Sequence, residues 1–340
     1  MKRTLQGIFL AVFAAEALVV GQSADAQRVL AGLREALGGD AKLAAVKSVA
    51  IEGQKTNSTP DGTSASAGFE MAFELAGATV RYVKKEELAN LGGTVIARRS
   101  GFNGAELIEE VDAPPAMTAG GGMRVMRMSP GGPMPGGQAT PEQVAAQKAQ
   151  LMVTNRRDFA RLALGMFGTT PAYPVEFTYA GQAEAPDGKA DVLDVKGADG
   201  FTAKLFVDGK SHLPLMLMWM DKEPLRMVSS MGGAAPAVSH GNMQVFAGSG
   251  SATPPTPEEI AKRQEEMAVR VKEADAKRKT VEYRIIYADY KSFDGVRMPT
   301  RIQRMMDGLA TEELTFDRVK VNAKIDASKF APTKNEKSDK

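Results

Sequence analysis

Cysteine is absent from the 340 residues, which excludes a disulfide framework, a thiolate metal site, a cysteine nucleophile and a lipidated N-terminal cysteine. Histidine is scarce: His212 precedes a Leu-Pro and His240 sits in a low-complexity stretch. Neither belongs to a pair at metal-ligand spacing, so both read as structural or surface residues. Also missing are a Gly-x-Ser-x-Gly elbow, a serine with lysine three residues on, and a glycine-rich phosphate loop between a strand and a helix. An excess of one charge is lacking too, with Lys plus Arg at 43 against Asp plus Glu at 41. That balance gives no footprint for nucleic acid. No cofactor is expected from these residues, and no enzymatic constellation is visible in them.

Long apolar runs are missing except at the start. Residues 1–26 combine Lys2 and Arg3, an apolar run from Ile8 to Val20 and a small-residue end at Ala24-Asp25-Ala26, the form of a secretory signal cleaved after Ala26. The run is too short to span a hydrocarbon core of about 30 Å comfortably. Export to a periplasm follows, with no integral membrane segment in the mature chain. An exported chain without disulfides must be held by its core, and 43% hydrophobic content over this length allows one.

What the sequence does have is turns. Seven Asx-Gly pairs occur, at Asp61-Gly62, Asn103-Gly104, Asp187-Gly188, Asp199-Gly200, Asp208-Gly209, Asp294-Gly295 and Asp307-Gly308. Such pairs accept the left-handed angles of the type I′ turn, whose twist matches two antiparallel strands. The residues between them keep a period of two, as in Val49 and Ile51, Phe69 to Leu75, Val80 and Tyr82, and the runs 175–179, 201–207, 213–220, 281–290, 296–306 and 309–321. The chain therefore reads as α+β, with a strongly bent antiparallel sheet.

Helices interrupt this ladder. Val29, Leu30, Leu33 and Leu37 share one helical face that Gly38-Gly39 closes, and Asp40 is placed to cap a further turn through Val46. Pro141 opens one or two helices carrying Val144, Leu151, Phe159, Leu162 and Met166, with a break expected at Thr154-Asn155. A charged helix from Glu258 to about Lys279 has a thin apolar stripe and Glu-before-Lys/Arg pairs such as Glu258/Lys262. Residues 113–140 and 229–257 are so rich in Pro, Gly and Met that neither is expected to build a ladder, and 331–340 reads as a disordered tail. One domain, 27–330, remains.

The helix LREALGGDAKLAAVKSVAIEG, the hairpin DGFTAKLFVDGKSHLPLMLMW and the closing DYKSFDGVRMPTRIQRMMDGLATEELTFDRVKVNAKIDASKF together resemble periplasmic proteins of the outer-membrane lipoprotein carrier and sorting family. The resemblance implies an incomplete β-barrel whose concave face is covered by helices over a hydrophobic cavity for acyl chains. Family carriers place an arginine early in the sheet, against the helical lid. Here that stretch reads FELAGATVRY, with Leu75 and Ala76 at the position and Arg81 several residues later, so Arg81 does not inherit the role.

Candidate lining residues follow from apolar faces. Phe69, Met71 and Phe73 share one strand face; Leu213, Leu215, Leu217 and Trp219 share another, with Met216, Met218 and Met220 opposite. A strand apolar on both sides is either covered twice or presents one side to a ligand. Phe159, Leu162 and Met166 of the helical segment and Met298 complete the set, methionine being adaptable toward irregular apolar partners. The adjacent carboxylates Glu86-Glu87, Glu109-Glu110 and Glu312-Glu313 point to opposite faces of their strands and read as solvated. The expectation is a non-catalytic carrier or binder of a lipid or acylated protein, working with an envelope membrane protein as partner. The alternative is a sensory or scaffold module that docks proteins on the same sheet, with a well-filled core.

Overall fold

The computed structural model describes residues 24–331 apart from 59–63, 76–78, 92–93, 113–122, 128–140, 171–172, 186–187, 225–237, 241–242 and 248–255. Of the expected signal, residues 1–26, and the expected tail, 331–340, residues 1–23 and 332–340 lie outside the described residues; Ala24 to Ala26 form the first residues of a helix, with Ala26 fully buried.

Helices α1 (Ala24–Ala36) and α2 (Asp40–Ala44) precede strands β1 (Ser48–Ser58), β2 (Ser64–Glu74), β3 (Arg81–Leu91), β4 (Thr94–Asn103) and β5 (Glu106–Asp112). After β6 (Met123–Arg127) comes the long helix α3 (Pro141–Phe167). Strands β7 (Val175–Ala185), β8 (Gly188–Gly197), β9 (Thr202–Asp208) and β10 (Pro214–Lys222) then lead to β11 (Val238–His240), β12 (Met243–Ala247) and α4 (Pro257–Lys277). The chain closes with β13 (Thr280–Phe293), β14 (Val296–Met306) and β15 (Leu309–Val321).

Twelve strands form one antiparallel sheet in the order β5-β4-β3-β2-β1-β15-β14-β13-β10-β9-β8-β7. It is not closed into a barrel, because β5 and β7 stand at opposite edges. The first and last strands pair in its middle, β1 against β15. One consequence decides the architecture: the chain leaves the sheet at edge β5 and re-enters at edge β7, so α3 must cross the concavity. At 27 residues and about 1.5 Å per residue the helix spans roughly 40 Å, and it touches β4, β5, β10 and β14 on the way.

The turns bear out the hairpin reading, with local differences. Asp199-Gly200, Asp294-Gly295 and Asp307-Gly308 have positive φ at both residues, as a type I′ turn requires. At Asn103-Gly104 the turn slips by one residue: Asn103 stays paired with Glu106, and Gly104 alone of the expected pair has positive φ. Asp208 instead folds its carboxylate back onto the backbone amides of Lys210 and Ser211, making a longer Asx-type loop. Asp61-Gly62 lies outside the described residues, as does Asp187.

Two helical expectations and one about the excursions differ from the structure. The α3 segment is one continuous helix, because Thr154 Oγ1 donates to Gln150 O at 3.0 Å and the buried Asn155 donates to Gly101 O at 3.3 Å, leaving no reason to break. Asp40 is the first residue of α2 rather than its cap; Gly39 caps, and the Asp40 carboxylate turns to Arg34. The excursions at 113–140 and 229–257 do build a ladder, since β11-β12-β6 forms a separate three-stranded sheet. β6 of the first excursion pairs with β12 of the second, which no local reading of either stretch could show, and β11 pairs with β12 within the second.

The core lies between the sheet's concave face and α3. Phe159, Leu162, Ala163, Leu164 and Met166 of the helix are at most 1% exposed, and the Phe159 ring sits 5.7 Å from Phe73, 5.4 Å from Tyr82 and 5.7 Å from Phe102. At Gly165 the helix backbone meets the Tyr287 ring so closely that an added Cβ would lie 2.2 Å from it. Helix propensity alone favours Gly165→Ala by roughly 1 kcal/mol. Overpacking costs roughly 1–3 kcal/mol and should win, so the variant is expected to unfold at a lower denaturant midpoint than the parent.

Candidate functional site

Cross-strand register fixes what faces the concavity. Val49, Phe73, Tyr82 and Phe102 lie side by side across β1 to β4, and Ile51 and Met71 pair in the next row. Leu193, Leu205, Leu217 and Ile285 continue the apolar surface across β8, β9, β10 and β13. Of the sequence candidates, Phe69, Met71, Phe73, Phe159, Leu162, Met166, Leu217 and Met298 are brought together in this one buried cluster. Trp219 is half-buried at its margin, stacked on Tyr283 with ring centroids 5.4 Å apart.

Leu215 does not join them. A register shift between Pro214 and Met216 inserts it as an extra residue, and it is 39% exposed. A β-bulge of this kind breaks the strict alternation on which the shared face of Leu213, Leu215, Leu217 and Trp219 was read. Met216 and Met218, paired with Phe206 and Lys204, lie on the opposite, convex face and are half-buried there. His212 is held at φ 55° and packs its ring against α1 at Gly32. The side chain of His240 is outside the described residues.

The two ends of the concavity are built differently. At one end lies α1, whose Ala26, Val29 and Leu33, with Leu37 just beyond, are at most 2% exposed. Its Leu33 fits over Gly168 at the end of α3, where an added Cβ would come within 2.1 Å of the leucine. Arg28 lies 6.0 Å from the Tyr179 ring on β7. After α1 the chain passes through Gly38 and Gly39 at φ 128° and 87°, angles that a side-chain-bearing residue adopts only under strain. The helix is tethered at this joint by Arg297 N donating to Leu37 O at 2.8 Å.

At the other end a belt of charge crosses the same concave face. Lys55 on β1 reaches Glu86 on β3 at 2.7 Å and Glu312 on β15 at 3.4 Å; Lys84 reaches Glu86 at 3.0 Å. Arg304 on β14 contacts Glu312 at 3.1 Å and Asp158 on α3 at 3.9 Å, and Asp158 also takes Arg161 at 3.1 Å. The Arg161 guanidinium lies 4.0 Å from the Trp219 ring. Arg98 and Glu109 extend the belt across β4 and β5 at 2.8 Å.

Burial opposes charge on Glu86, but Lys84 and Lys55 more than offset it and hold the carboxyl far below the usual carboxylate range. Asp158 is likewise lowered, burial being outweighed by Arg304 and Arg161. Burial pushes the Tyr82 and Tyr287 hydroxyls well up, so both stay neutral. The Tyr287 hydroxyl donates to Arg161 O at 2.6 Å, fastening the helix from the sheet side.

None of the belt was read from the sequence. The argument that adjacent carboxylates face opposite ways holds, since Glu86 is buried and Glu87 exposed. Treating both members as solvated does not: Glu86, Glu109 and Glu312 turn inward. The signal was available, because extending the period of two from Tyr82 places Lys84 and Glu86 on its face. Arg81 points elsewhere, pairing with Glu74 at 3.1 Å and lying 6.0 Å from the Phe330 ring.

Among the described residues no three His, Asp or Glu side chains gather as a metal site, and no helix is long and apolar enough to cross a membrane. The arrangement has a buried apolar face, a short helix joined through two glycines and paired charge. That suits binding by burial.

No family model matches the sequence, and no curated protein matches it. Solved structures similar to it include a DUF1329 family protein from Desulfovibrio piger, at 7% identity and TM-score 0.41, covering 90% of this chain and 97% of that one. An outer membrane lipoprotein-sorting protein domain from Vibrio parahaemolyticus is 11% identical at TM-score 0.42, over 90% and 94% of the two chains. A LolA superfamily protein from Nitrosomonas europaea is 13% identical at TM-score 0.42, over 90% and 97%.

Removing one partner of a buried pair leaves its counter-charges stranded, at a cost of about 3–5 kcal/mol. Glu86→Gln should fall at the low end, because Lys55 keeps Glu312. The lowered carboxyl of Glu86 contributes stability that is present above its unfolded value of about 4.3 and lost as pH falls through its folded value. Urea melts from neutral pH into acid should therefore show a steeper loss in the parent than in Glu86→Gln.

Proposed function

We propose that the protein is an exported, non-catalytic binder or carrier of a lipid or acylated ligand, taken up on the concave face beneath α1. The observation that carries this reading is the contrast between the two helices on that face. The C-terminal half of α3 is fastened by Tyr287, Asn155 and close packing at Gly165. By comparison α1 is short, seated through Val29, Leu33 and Leu37, and joined to the rest at Gly38-Gly39.

Magnitudes agree with an exchange of helix for acyl chain. Uncovering three such side chains costs about 5–9 kcal/mol at roughly 1.5–3 kcal/mol each. Burying a chain returns about 0.8 kcal/mol per CH₂, so roughly six to eleven methylenes offset the opening. A ligand of ordinary acyl length is sufficient, and its release requires only that α1 reseat. The apolar run at residues 8–20 supports export, and an envelope membrane protein that loads or receives the ligand fits the same scheme.

One observation favours a second reading, a docking or scaffold module. Phe159 and its neighbours already fill the middle of the concavity, as a module that binds proteins on its outer surfaces would show.

Native mass spectrometry after periplasmic expression separates the two. The carrier reading expects a co-purified lipid adduct and uptake of a fluorescent fatty acid. Leu33→Ala, which loosens the cover by roughly 2–5 kcal/mol, should speed that uptake. A clean apo mass with no uptake by either protein contradicts the carrier and leaves the docking module.

A further inference from the structure

The convex side of the sheet holds a second feature, separate from the concave face. After β15 the chain folds back over β2 to β4 as a short strap ending in a 3₁₀ turn, Ala327–Phe330. Phe330 is fully buried in an outer cluster with Ala72, Val83 and Ile108. Arg99 on β4 donates to the carbonyls of Ser328, Lys329 and Ala331 at 3.2–3.4 Å, and Asn103 donates to Phe330 O at 3.3 Å. Lys329 pairs with Glu70 at 2.8 Å.

Between strap and sheet lies a cavity of about 490 Å³, within the range of small-molecule sites. Its floor is Ala72, Val83 and Ala97, and its rim is charged. Register places Glu70, Lys85, Arg99 and Glu110 side by side across four strands. Arg99 pairs with Glu110 at 2.5 Å and Lys329 with Glu70, so among the described residues Lys85 is the lining cation without an ion pair. The Arg99 Nε–H is buried and has no hydrogen-bond partner.

We propose that this cavity is a binding site for a small organic carboxylate with a compact apolar body, closed by the C-terminal strap. The rim carries one cation more than its anions. The terminal nitrogens of Arg99 are engaged by the strap carbonyls and Glu110, which leaves two donors, the Lys85 ammonium and the Arg99 Nε–H. Two donors match the two oxygens of a carboxylate better than the three of a phosphate. The apolar floor takes the body of the ligand. Because the same guanidinium holds the strap through the carbonyls of Ser328, Lys329 and Ala331, a ligand that engages Arg99 is coupled to the strap.

The test is calorimetric titration of the full chain at pH 7 with cyclohexanecarboxylate and with the neutral, near-isosteric cyclohexanecarboxamide, both too short to span an acyl site. A charge-assisted contact should make the carboxylate bind about tenfold or more tightly than the amide. Lys85→Gln, a change at an exposed strand position, should bring the two ligands level. Hydrogen exchange at residues 328–331 should change on adding the carboxylate to the parent and not to the variant. Equal binding of acid and amide, no binding of either, or an unchanged preference in Lys85→Gln overturns the assignment.

Discussion

The burial of the C-terminal half of α3 inside the bent sheet is the interaction on which the rest of the structure depends. Twelve strands with free edges at β5 and β7 cannot fill their own concavity, and an apolar concave face open to water would be unstable. Topology supplies the filling, because the only connection from β5 to β7 runs through α3. The Phe159 ring then packs on Phe73, Tyr82 and Phe102, joining three strands through one side chain. Gly165 permits the helix to approach Tyr287 closely, and the tyrosine hydroxyl satisfies a helix carbonyl.

From this fixed element the two ends of the concavity differ for electrostatic reasons. The belt around Glu86, Arg304 and Asp158 puts charge where α3 enters, and charge in a partly dry interface fixes register at a cost in stability. The α1 end has an apolar seat on Leu33 and a pair of glycines as its joint. Opening there exposes apolar surface, which the proposed acyl ligand would cover again. Opening at the belt would take Asp158 from Arg304 and uncover charged groups rather than apolar surface. On the proposed reading, that difference makes α1 the movable part and α3 the permanent one.

Much of this was legible in the sequence. The Asx-Gly pairs and the period of two announced the hairpins, and the faces of Phe69, Met71, Phe73, Phe159 and Leu162 converge in the core. What was hidden has specific causes. Leu215 left its face because a bulge adds a residue that alternation does not count. The pairing of β6 with β12 joins two Met- and Gly-rich excursions that are far apart in the chain. Glu86, Glu109 and Glu312 read as solvent-facing charges in the sequence, since a charged residue is usually exposed and its neutralising partner comes from another strand. The Phe330 strap was missed because it lies just before a polar terminus, with no periodic pattern to mark it.

The central claim is that α1 opens independently of the α3 core. Native-state hydrogen exchange in increasing denaturant measures this most directly, because local opening and global unfolding differ in free energy and in denaturant dependence. The account predicts that amides of residues 29–36 exchange through a low-energy opening nearly independent of denaturant, while those of residues 159–166 exchange only by global unfolding. A single shared opening free energy and denaturant slope for both helices would contradict it.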